Sequence, residues 1–257
     1  MGITVCAFSG KYLNQFGFLI SVEVMIKSVF KLPRLYVDHP LKDGQDIILD
    51  KEQSHYLGNV LRKKQGDDLR LFNGRDGEWL SGITSVSKKE LTVLLKEQIL
   101  PQPSETRDKR LYFAPIKKQR LDFLVEKSVE LGVTELIPVI TANTENRYLK
   151  HERMSAQIIE ASEQCERLTV PVLRKEIKLV DIAKEGHSIM AAIERDENAA
   201  HINETKYNAV LIGPEGGFTQ EEVQWLKTQD NIIAVNLGTT ILRAETAALY
   251  ALSHMDL

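Results

Sequence analysis

Short stretches of alternating apolar and polar residues, divided by turn dipeptides, mark the chain between residues 34 and 96. Alternation with a period of two is typical of strands that bury one face. Asn73-Gly74 and Asp76-Gly77 are strong turn signals, and one helix-like stretch at 54–62 interrupts the series. The pattern predicts a small β-barrel or sandwich with strands at 34–38, 67–72, 78–86 and 91–96.

The pattern changes after residues 101–106, which have the composition of a linker. Leu121, Leu124 and Val125 recur at helical spacing, and Gly132 stands where a helix C-cap glycine belongs. Strands alternating with helices predict an α/β fold with a parallel sheet covered on both faces. The strands are predicted at 111–114, 135–140, 188–193, 209–212 and 232–237, and further helices at 152–166, after the capping box Thr219-Gln-Glu-Glu222, and at 243–255.

These patterns divide the chain into three parts. Residues 1–24 are predicted to be an N-terminal extension, because the apolar stretch 12–25 contains polar residues and is too short to span a bilayer. This stretch also lacks the basic start, clean apolar core and cleavage site of a signal peptide. The β domain is then predicted at 25–100 and the α/β domain at 107–257.

Composition narrows the function classes. A chain of 257 residues with 43% hydrophobic residues can bury two modest cores. Cys6 and Cys165 lie far apart, with no Cys/His cluster nearby, so we expect neither a structural zinc site nor a disulfide. Reduced thiols are typical of a cytoplasmic protein.

The net charge of −3 conceals a basic stretch. Five Lys and Arg residues and no acidic residue occur between Lys109 and Arg120, whereas the chain from Glu176 onwards has 6 basic residues against 13 acidic ones. One basic face on an acidic chain suits a polyanion such as RNA. A solvated start of a helix is the alternative interpretation.

Two loops that leave predicted strands carry the candidate chemistry. The first, 211–219, contains Gly213, Gly216 and Gly217, which let a backbone approach a ligand closely. Ligands of open parallel sheets bind beyond the carboxyl ends of the strands. The spacing fits neither a dinucleotide fingerprint nor a P-loop, and a plain tight turn is the alternative.

The second loop, 237–246, turns at Gly238 and places Leu242 and Arg243 before a predicted helix. A basic residue is unfavourable at a helix start, because it opposes the helix dipole. We therefore expect Arg243 to have another task, and pairing with Glu245 is the alternative.

Together the two loops, Ile-Gly-Pro-Glu-Gly-Gly-Phe-Thr at 212–219 and Leu-Gly-x-x-Ile-Leu-Arg-x-Glu-Thr-Ala at 237–247, closely resemble the signature of the uridine-N3 methyltransferases of small-subunit ribosomal RNA. These enzymes belong to the SPOUT class of knotted methyltransferases. Further segments are similar to that family and extend the resemblance over 31–257; they lie at 33–37, 55–62, 127–133 and 160–171.

The resemblance implies a PUA-like barrel that grips RNA, followed by a SPOUT domain with a trefoil knot. It further implies the cofactor S-adenosylmethionine, a homodimer, and 16S ribosomal RNA of the small subunit as the partner, with no metal and no membrane. The cofactor would be held mostly by backbone groups of the two loops, at Ile212, Gly213, Pro214, Glu215, Gly216, Gly217, Leu237, Gly238, Ile241, Leu242 and Arg243.

Methylation at N3 of uridine requires removal of a weakly acidic proton and stabilisation of the anion that results. Arg243 is the candidate for stabilising negative charge on a uracil oxygen. Glu245 is either the base or the residue that orients Arg243, and the second role is the commoner one. Phosphate contacts are predicted for Arg34, Arg62, Lys117, Lys118, Arg120 and Arg167. Glu160, Gln164 and Arg167 either line the site or are solvated helix charges.

Three other functions are considered. Methylation at C5 of a pyrimidine usually needs a nucleophilic cysteine, but Cys165 shares a helix face with Met154 and Ile158 and is expected to be buried. An RNA-binding module without catalysis leaves the two glycine loops unexplained. An oxidoreductase that binds a nucleotide lacks the required glycine spacing.

Overall fold

The computed structural model forms two compact units. The first contains the described residues up to Leu71 together with Glu78–Ile99, and the second contains Phe72–Gly77 and the chain from Leu100 onwards. The predicted extension 1–24, with Cys6, lies outside the described residues. No helix within the described ranges is long and apolar enough to cross a membrane. The structure describes residues 28–87, 90–105, 107–193, 199–202 and 206–255.

The first unit is built on a five-stranded sheet of order β1-β3-β4-β5-β2. Its inner face buries an aliphatic core that includes Leu57, Leu69 and Val93. The four predicted strands are confirmed. Strand β2 was not predicted, because its three residues are too few to show an alternating pattern. The strands are β1 (Arg34–Tyr36), β2 (Asp46–Ile48), β3 (Asp68–Phe72), β4 (Glu78–Val86) and β5 (Leu91–Leu100).

The helix of this unit begins earlier than predicted. Helix α1 spans Lys51–His55 and continues as a π-helical turn at Tyr56–Val60. Asp50 Oδ1 accepts a hydrogen bond from Gln53 N (2.8 Å), and Gln53 Oε1 accepts one from Asp50 N (3.2 Å). This capping box satisfies two backbone donors at the helix start, and it explains why the helix begins before residue 54.

The second unit is a parallel α/β sheet, as predicted, of order β11-β13-β10-β12-β6-β7-β8, and β9 pairs with β7. Its strands are β6 (Arg110–Phe113), β7 (Glu135–Ile140), β8 (Val172–Leu173), β9 (Ile177–Lys178), β10 (Ile189–Ala192), β11 (Ala200–His201), β12 (Ala209–Ile212) and β13 (Ile232–Asn236). Its helices are α2 (Lys118–Glu130), α3 (His151–Gln164), α4 (Gln220–Lys227) and α5 (Ala244–His254).

Helices cover both faces of this sheet. On one face α2 packs against α3 and α5, and its apolar stripe, including Leu124 and Val125, enters a large core. On the other face Ile182 and Leu226 close a second core. Ile182 belongs to a 3-10 helix at Leu179–Glu185, which the sequence patterns do not predict because its periodicity is not that of an α-helix. Strands β13, β10, β12, β6 and β7 pair in parallel, so their carboxyl ends meet at one edge.

Candidate active site

The two predicted glycine loops lie at the same edge of the sheet. The first leaves the carboxyl end of β12 at Ile212, and the second leaves the carboxyl end of β13 at Asn236. Strand β10 lies between them in the sheet. An open parallel sheet binds its ligands beyond the carboxyl ends of its strands, so the fold brings the two predicted cofactor segments to a suitable place.

The first loop is shaped by its glycines. A Cβ atom on Gly213 would lie 2.9 Å from Phe218 Cε2, so only glycine lets the Phe218 ring pack at this position. Gly217 has φ +69°, a left-handed conformation that side chains disfavour, and its N–H donates to Pro214 O (2.9 Å). Ile212 and Pro214 are buried, whereas Glu215 and Gly216 are exposed. The loop is thus a tight turn whose tip faces outward.

Two residues that sequence reasoning did not assign to the site, Asn143 and Glu222, tie this loop to the segment after β7. Asn143 Nδ2 donates to Gly216 O (3.3 Å) and Gly217 O (3.0 Å). Glu222 closes the predicted capping box by accepting from Thr219 N (2.9 Å), and its other oxygen accepts from Ala142 N (2.7 Å). The position of Asn143, a polar residue three positions after the end of the buried strand β7, is the signal that could have identified it.

The second loop turns at Gly238, which has φ +133° and donates its N–H to Asn236 Oδ1 (2.9 Å). Leu237 and Leu242 are partly buried against the core, whereas Ile241 is exposed. Arg243 is the N-cap residue of α5 and is exposed, and no side-chain hydrogen bond or ion pair is found for it within the described part of the chain.

Glu245, in the first turn of α5, faces Arg120 and not Arg243. Arg120 Nε lies 3.8 Å from Glu245 Oε1, and Arg120 Nη1 lies 2.6 Å from Glu215 Oε1. The Glu245 side chain is 11% exposed, and its Oε2 atom is buried without a hydrogen-bond partner among the residues described. The expected orientation of Arg243 by Glu245 is therefore not observed.

The predicted phosphate contacts fall into different environments. Lys117 and Lys118 are exposed at the start of α2, whose first turn contains no acidic residue. Arg120 follows them but is occupied by the two carboxylates. In the first unit Arg62 is exposed, and its φ of +54° is uncommon for a residue other than glycine. Lys117, Lys118 and Arg62 thus keep the exposure that phosphate contact requires.

Arg34 requires a correction. Its side chain is only 4% exposed, and its Nε lies 3.1 Å from the buried Glu78 Oε2. A guanidinium group held inside the barrel by a carboxylate cannot reach the phosphates of an RNA bound at the protein surface. Arg34 therefore stabilises the barrel, and the sequence could not distinguish this use of arginine from RNA binding.

Arg167 also has a structural environment. Its Nη1 donates to Val129 O (2.7 Å) and its Nη2 to Thr169 Oγ1 (2.9 Å). Val129 lies in the last turn of α2. This end of the helix is close to the amino ends of the strands, because Thr134 N, just before β7, donates to Lys109 O, just before β6. The structure therefore places Arg167 at the edge opposite the two glycine loops.

The neighbours of Arg167 lie near the same end of helix α3. Glu160 and Gln164 are exposed, which agrees with solvated helix charges. Cys165 is the C-cap residue of the helix and packs partly buried against the core. None of these three is brought to the glycine loops, so Cys165 has no place in a reaction there.

The loops fit a cofactor held through the backbone. A Cβ atom added at Gly217 or Gly238 would meet no atom within 4 Å, so the space beside both glycines is open. Open backbone at two neighbouring loops suits an organic group that approaches main-chain atoms closely. No group of three metal-ligating side chains occurs within the residues that the structure describes.

Comparison with known proteins agrees with this geometry. Residues 103–256 match the model of the RNA methyltransferase domain, and residues 49–96 match the RNA methyltransferase PUA domain. The ribosomal RNA small subunit methyltransferase E of Rickettsia conorii is 38% identical over 88% of this chain and 96% of its own length. The protein of the same name from Buchnera aphidicola subsp. Schizaphis graminum is 30% identical over 88% of this chain and 96% of its own length.

Solved structures place the cofactor in similar proteins. The ribosomal RNA small subunit methyltransferase E of Neisseria gonorrhoeae, bound to S-adenosylmethionine, superposes with a TM-score of 0.78 and is 29% identical, over 88% of this chain and 97% of that one. A methyltransferase of Legionella pneumophila with bound cofactor gives the same values. The chain, with its PUA-like domain and its SPOUT domain, belongs to the ribosomal RNA small subunit methyltransferase E family.

Proposed function

We propose that this chain transfers a methyl group from S-adenosylmethionine to N3 of a specific uridine in 16S ribosomal RNA. One observation carries the proposal: the Glu245 Oε2 atom is buried without a hydrogen-bond partner among the described residues, directly after a cofactor loop. A buried, unpaired acceptor is costly unless a ligand satisfies it, so this oxygen suits a donor supplied by the substrate.

The cofactor would be held by the backbone of the two loops, with Ile212, Leu237 and Leu242 providing apolar contact. These three side chains are buried or partly buried at the carboxyl edge of the sheet. The cofactor supplies an electrophilic methyl group on a positively charged sulfur. Asn143 and Glu222 keep the first loop in place, so this wall of the site is organised before the cofactor binds.

Residues of the second loop remove the proton of the target base and stabilise the charge that remains on it. Glu245 Oε2 accepts the N3–H proton of the uracil, whose two flanking carbonyl groups make that proton weakly acidic. Arg243, exposed and without a described partner, stabilises the negative charge that develops on a uracil oxygen. Both roles therefore fall to residues of the second loop.

Lys117, Lys118 and Arg62 would contact the phosphates of the RNA. Exposed lysines that neutralise phosphates add affinity without sequence preference, and each contact steepens the salt dependence of binding. Replacing Lys117 and Lys118 by glutamine is expected to weaken binding of naked 16S RNA and to reduce the slope of log K against log salt by about 2. Filter binding between 50 and 200 mM salt measures both.

We further propose that the chain forms a homodimer and acts in the cytoplasm. Its second unit would have the knotted topology of the SPOUT class. Phe123 of α2 and Tyr250 of α5 are 45% and 39% exposed on two helices that pack against each other. Exposed aromatic side chains on adjoining helices suit a contact with a second copy. Sedimentation velocity of the purified chain tests the dimer.

The reaction is tested by incubating the protein and labelled S-adenosylmethionine with small ribosomal subunits or naked 16S RNA from a strain that lacks the activity. The digested RNA is then analysed by mass spectrometry. Label in 3-methyluridine is the expected result, and the better substrate shows whether assembled RNA is required. Label at C5 or on another base would refute the N3 assignment. Failure to bind the cofactor would favour an RNA-binding module instead.

The roles of the second loop are tested in single-turnover reactions. Glu245→Gln and Arg243→Gln are each expected to lower the rate by about 10²-fold or more, because each removes a group that acts on the target base. Full rates for both variants would refute this mechanism and leave the family unaffected.

A further inference from the structure

We infer that Arg120 is a positioning residue for Glu245: Glu215 on the first loop holds Arg120, and Arg120 holds the Glu245 carboxylate toward the target base. This inference rests on the proposed function, in which Glu245 accepts the N3 proton. It replaces the phosphate contact that the sequence predicts for Arg120 with a role inside the site. The three side chains thereby connect α2 to both loops.

The geometry supports a chain of contacts and not a single ion pair. Arg120 Nη1 is 2.6 Å from Glu215 Oε1, which is the length of a strong, charge-assisted hydrogen bond. Arg120 Nε is 3.8 Å from Glu245 Oε1, close enough for electrostatic attraction. Glu215 therefore fixes one edge of the guanidinium group, and the group's Nε is left facing Glu245.

The low exposure of Glu245 makes its contact with Arg120 the more important of the two. The Glu245 side chain is 11% exposed, whereas those of Glu215 and Arg120 are 27% and 37% exposed. A carboxylate that is largely removed from water needs a counter-ion, and Arg120 is the only ion-pair partner of Glu245 found in the described residues. Because Oε1 faces Arg120, Oε2 remains available as an acceptor.

The position of Arg120 in its helix also indicates a specific task. Arg120 lies in the first turn of α2, where the helix dipole disfavours a cation, and no acidic residue in that turn compensates it. Carboxylates from two other segments provide the compensation. An arginine that served only the helix would be better placed at its C-terminal end.

Cofactor binding and catalysis can be separated, because the first loop has supports that do not involve Arg120. Asn143 binds the carbonyl groups of Gly216 and Gly217, and Glu222 ties the loop to Ala142 N. The backbone that holds the cofactor thus keeps its shape when Arg120 is replaced. The orientation of Glu245 has no such second support among the residues described.

The test compares R120Q, E215Q, the double variant R120Q/E215Q and R120K. For R120Q we expect a single-turnover rate about 10- to 100-fold lower at saturating cofactor and RNA, since a misplaced reactive group loses rate steeply. The Kd for S-adenosylmethionine, measured by calorimetry, is expected to rise less than about fivefold, as for loss of an exposed ion pair. E215Q acts in the same direction, and the double variant is no slower than R120Q because both act through one contact chain.

Two further variants serve as controls. R120K keeps the positive charge and is expected to recover part of the rate. R153Q removes a similarly exposed arginine from α3. Arg153 pairs with Asp122, which lies on α2 as Arg120 does, and R153Q is expected to react at the wild-type rate. Thermal unfolding followed by circular dichroism shows whether each variant is folded.

A wild-type rate for R120Q, or a loss of cofactor affinity equal to the loss of rate, would overturn the positioning role. The positioning role would also be overturned if the rate loss in R120Q/E215Q equalled the product of the losses in the two single variants. If R120Q does not fold, E215Q decides: a lowered rate with unchanged affinity supports the inference, and a wild-type rate refutes it. Absence of 3-methyluridine with the wild-type protein refutes the proposed function itself, a separate result.

Discussion

Glu78 is the residue whose replacement should damage the first unit most for the smallest change in shape. Its carboxylate is fully buried; Oε1 lies 2.9 Å from Arg70 Nη1, and Oε2 lies 3.1 Å from Arg34 Nε. Both arginine side chains are less than 5% exposed. Glu78→Gln retains the size of the side chain and removes the negative charge that both guanidinium groups contact.

The cost follows from desolvation. Removing one member of a buried ion pair costs about 3–5 kcal/mol, because the charge left behind cannot recover its hydration. Arg70 keeps its hydrogen bonds to Phe30 O and Leu32 O, which offsets part of the loss, so about 3 kcal/mol is expected. The exposed pair of Lys96 with Asp68 in the same sheet is the control, and Lys96→Gln should cost less than about 1 kcal/mol.

The barrel can be followed separately, because the chain has two tryptophans, Trp79 in the first unit and Trp225 in the second. In a full-length Trp225→Phe background, fluorescence during urea unfolding reports on Trp79. With a slope near 1 kcal/mol/M, Glu78→Gln should lower the midpoint by about 3 M, or leave the barrel unfolded without urea. A shift no larger than that of Lys96→Gln would refute the argument from buried charge.

Three further outcomes are expected. Gly213→Ala should weaken S-adenosylmethionine binding in calorimetry, because the new methyl group meets the Phe218 ring, and Phe218→Ala in the same chain should relieve the overlap. Burial lowers the pKa of His187 below its usual value of 6.5, so the stability it contributes is present above pH 6.5 and is lost as the pH falls through the lowered pKa. Urea midpoints measured from pH 5 to 8 should therefore depend less on pH in His187→Asn. Cys165→Ala should retain the methylation rate in the labelling assay, and its loss from a folded variant would revive the C5 mechanism.

Much of the fold follows from local patterns. The alternation at 78–86 and the helical spacing of Leu121, Leu124 and Val125 each specify an element that buries one face, and both elements are observed. The short elements were missed for the same reason: a two-residue strand such as Val172–Leu173 has no period to detect, and only its pairing with β7 makes it a strand.

The candidate site divides along the same line. The glycines of the two loops could be identified from sequence because a chain that must turn tightly and leave its backbone open restricts the residue type itself. The partners of charged residues could not be identified, because an arginine in a sequence has the same chemistry whether it is buried or exposed. Arg34 contacts Glu78 across 44 positions of the chain, and Arg120 contacts Glu215 across 95.

The sequence by itself determined the two-part organisation, the parallel α/β pattern and the loop residues that carry the family resemblance. Only the tertiary structure decided that Arg34 and Arg167 are structural, that Asn143 supports the first loop, and that Glu245 faces Arg120. The physical reason is that periodicity and turn chemistry act over a few residues, whereas desolvation and charge pairing depend on which distant segments the fold brings together.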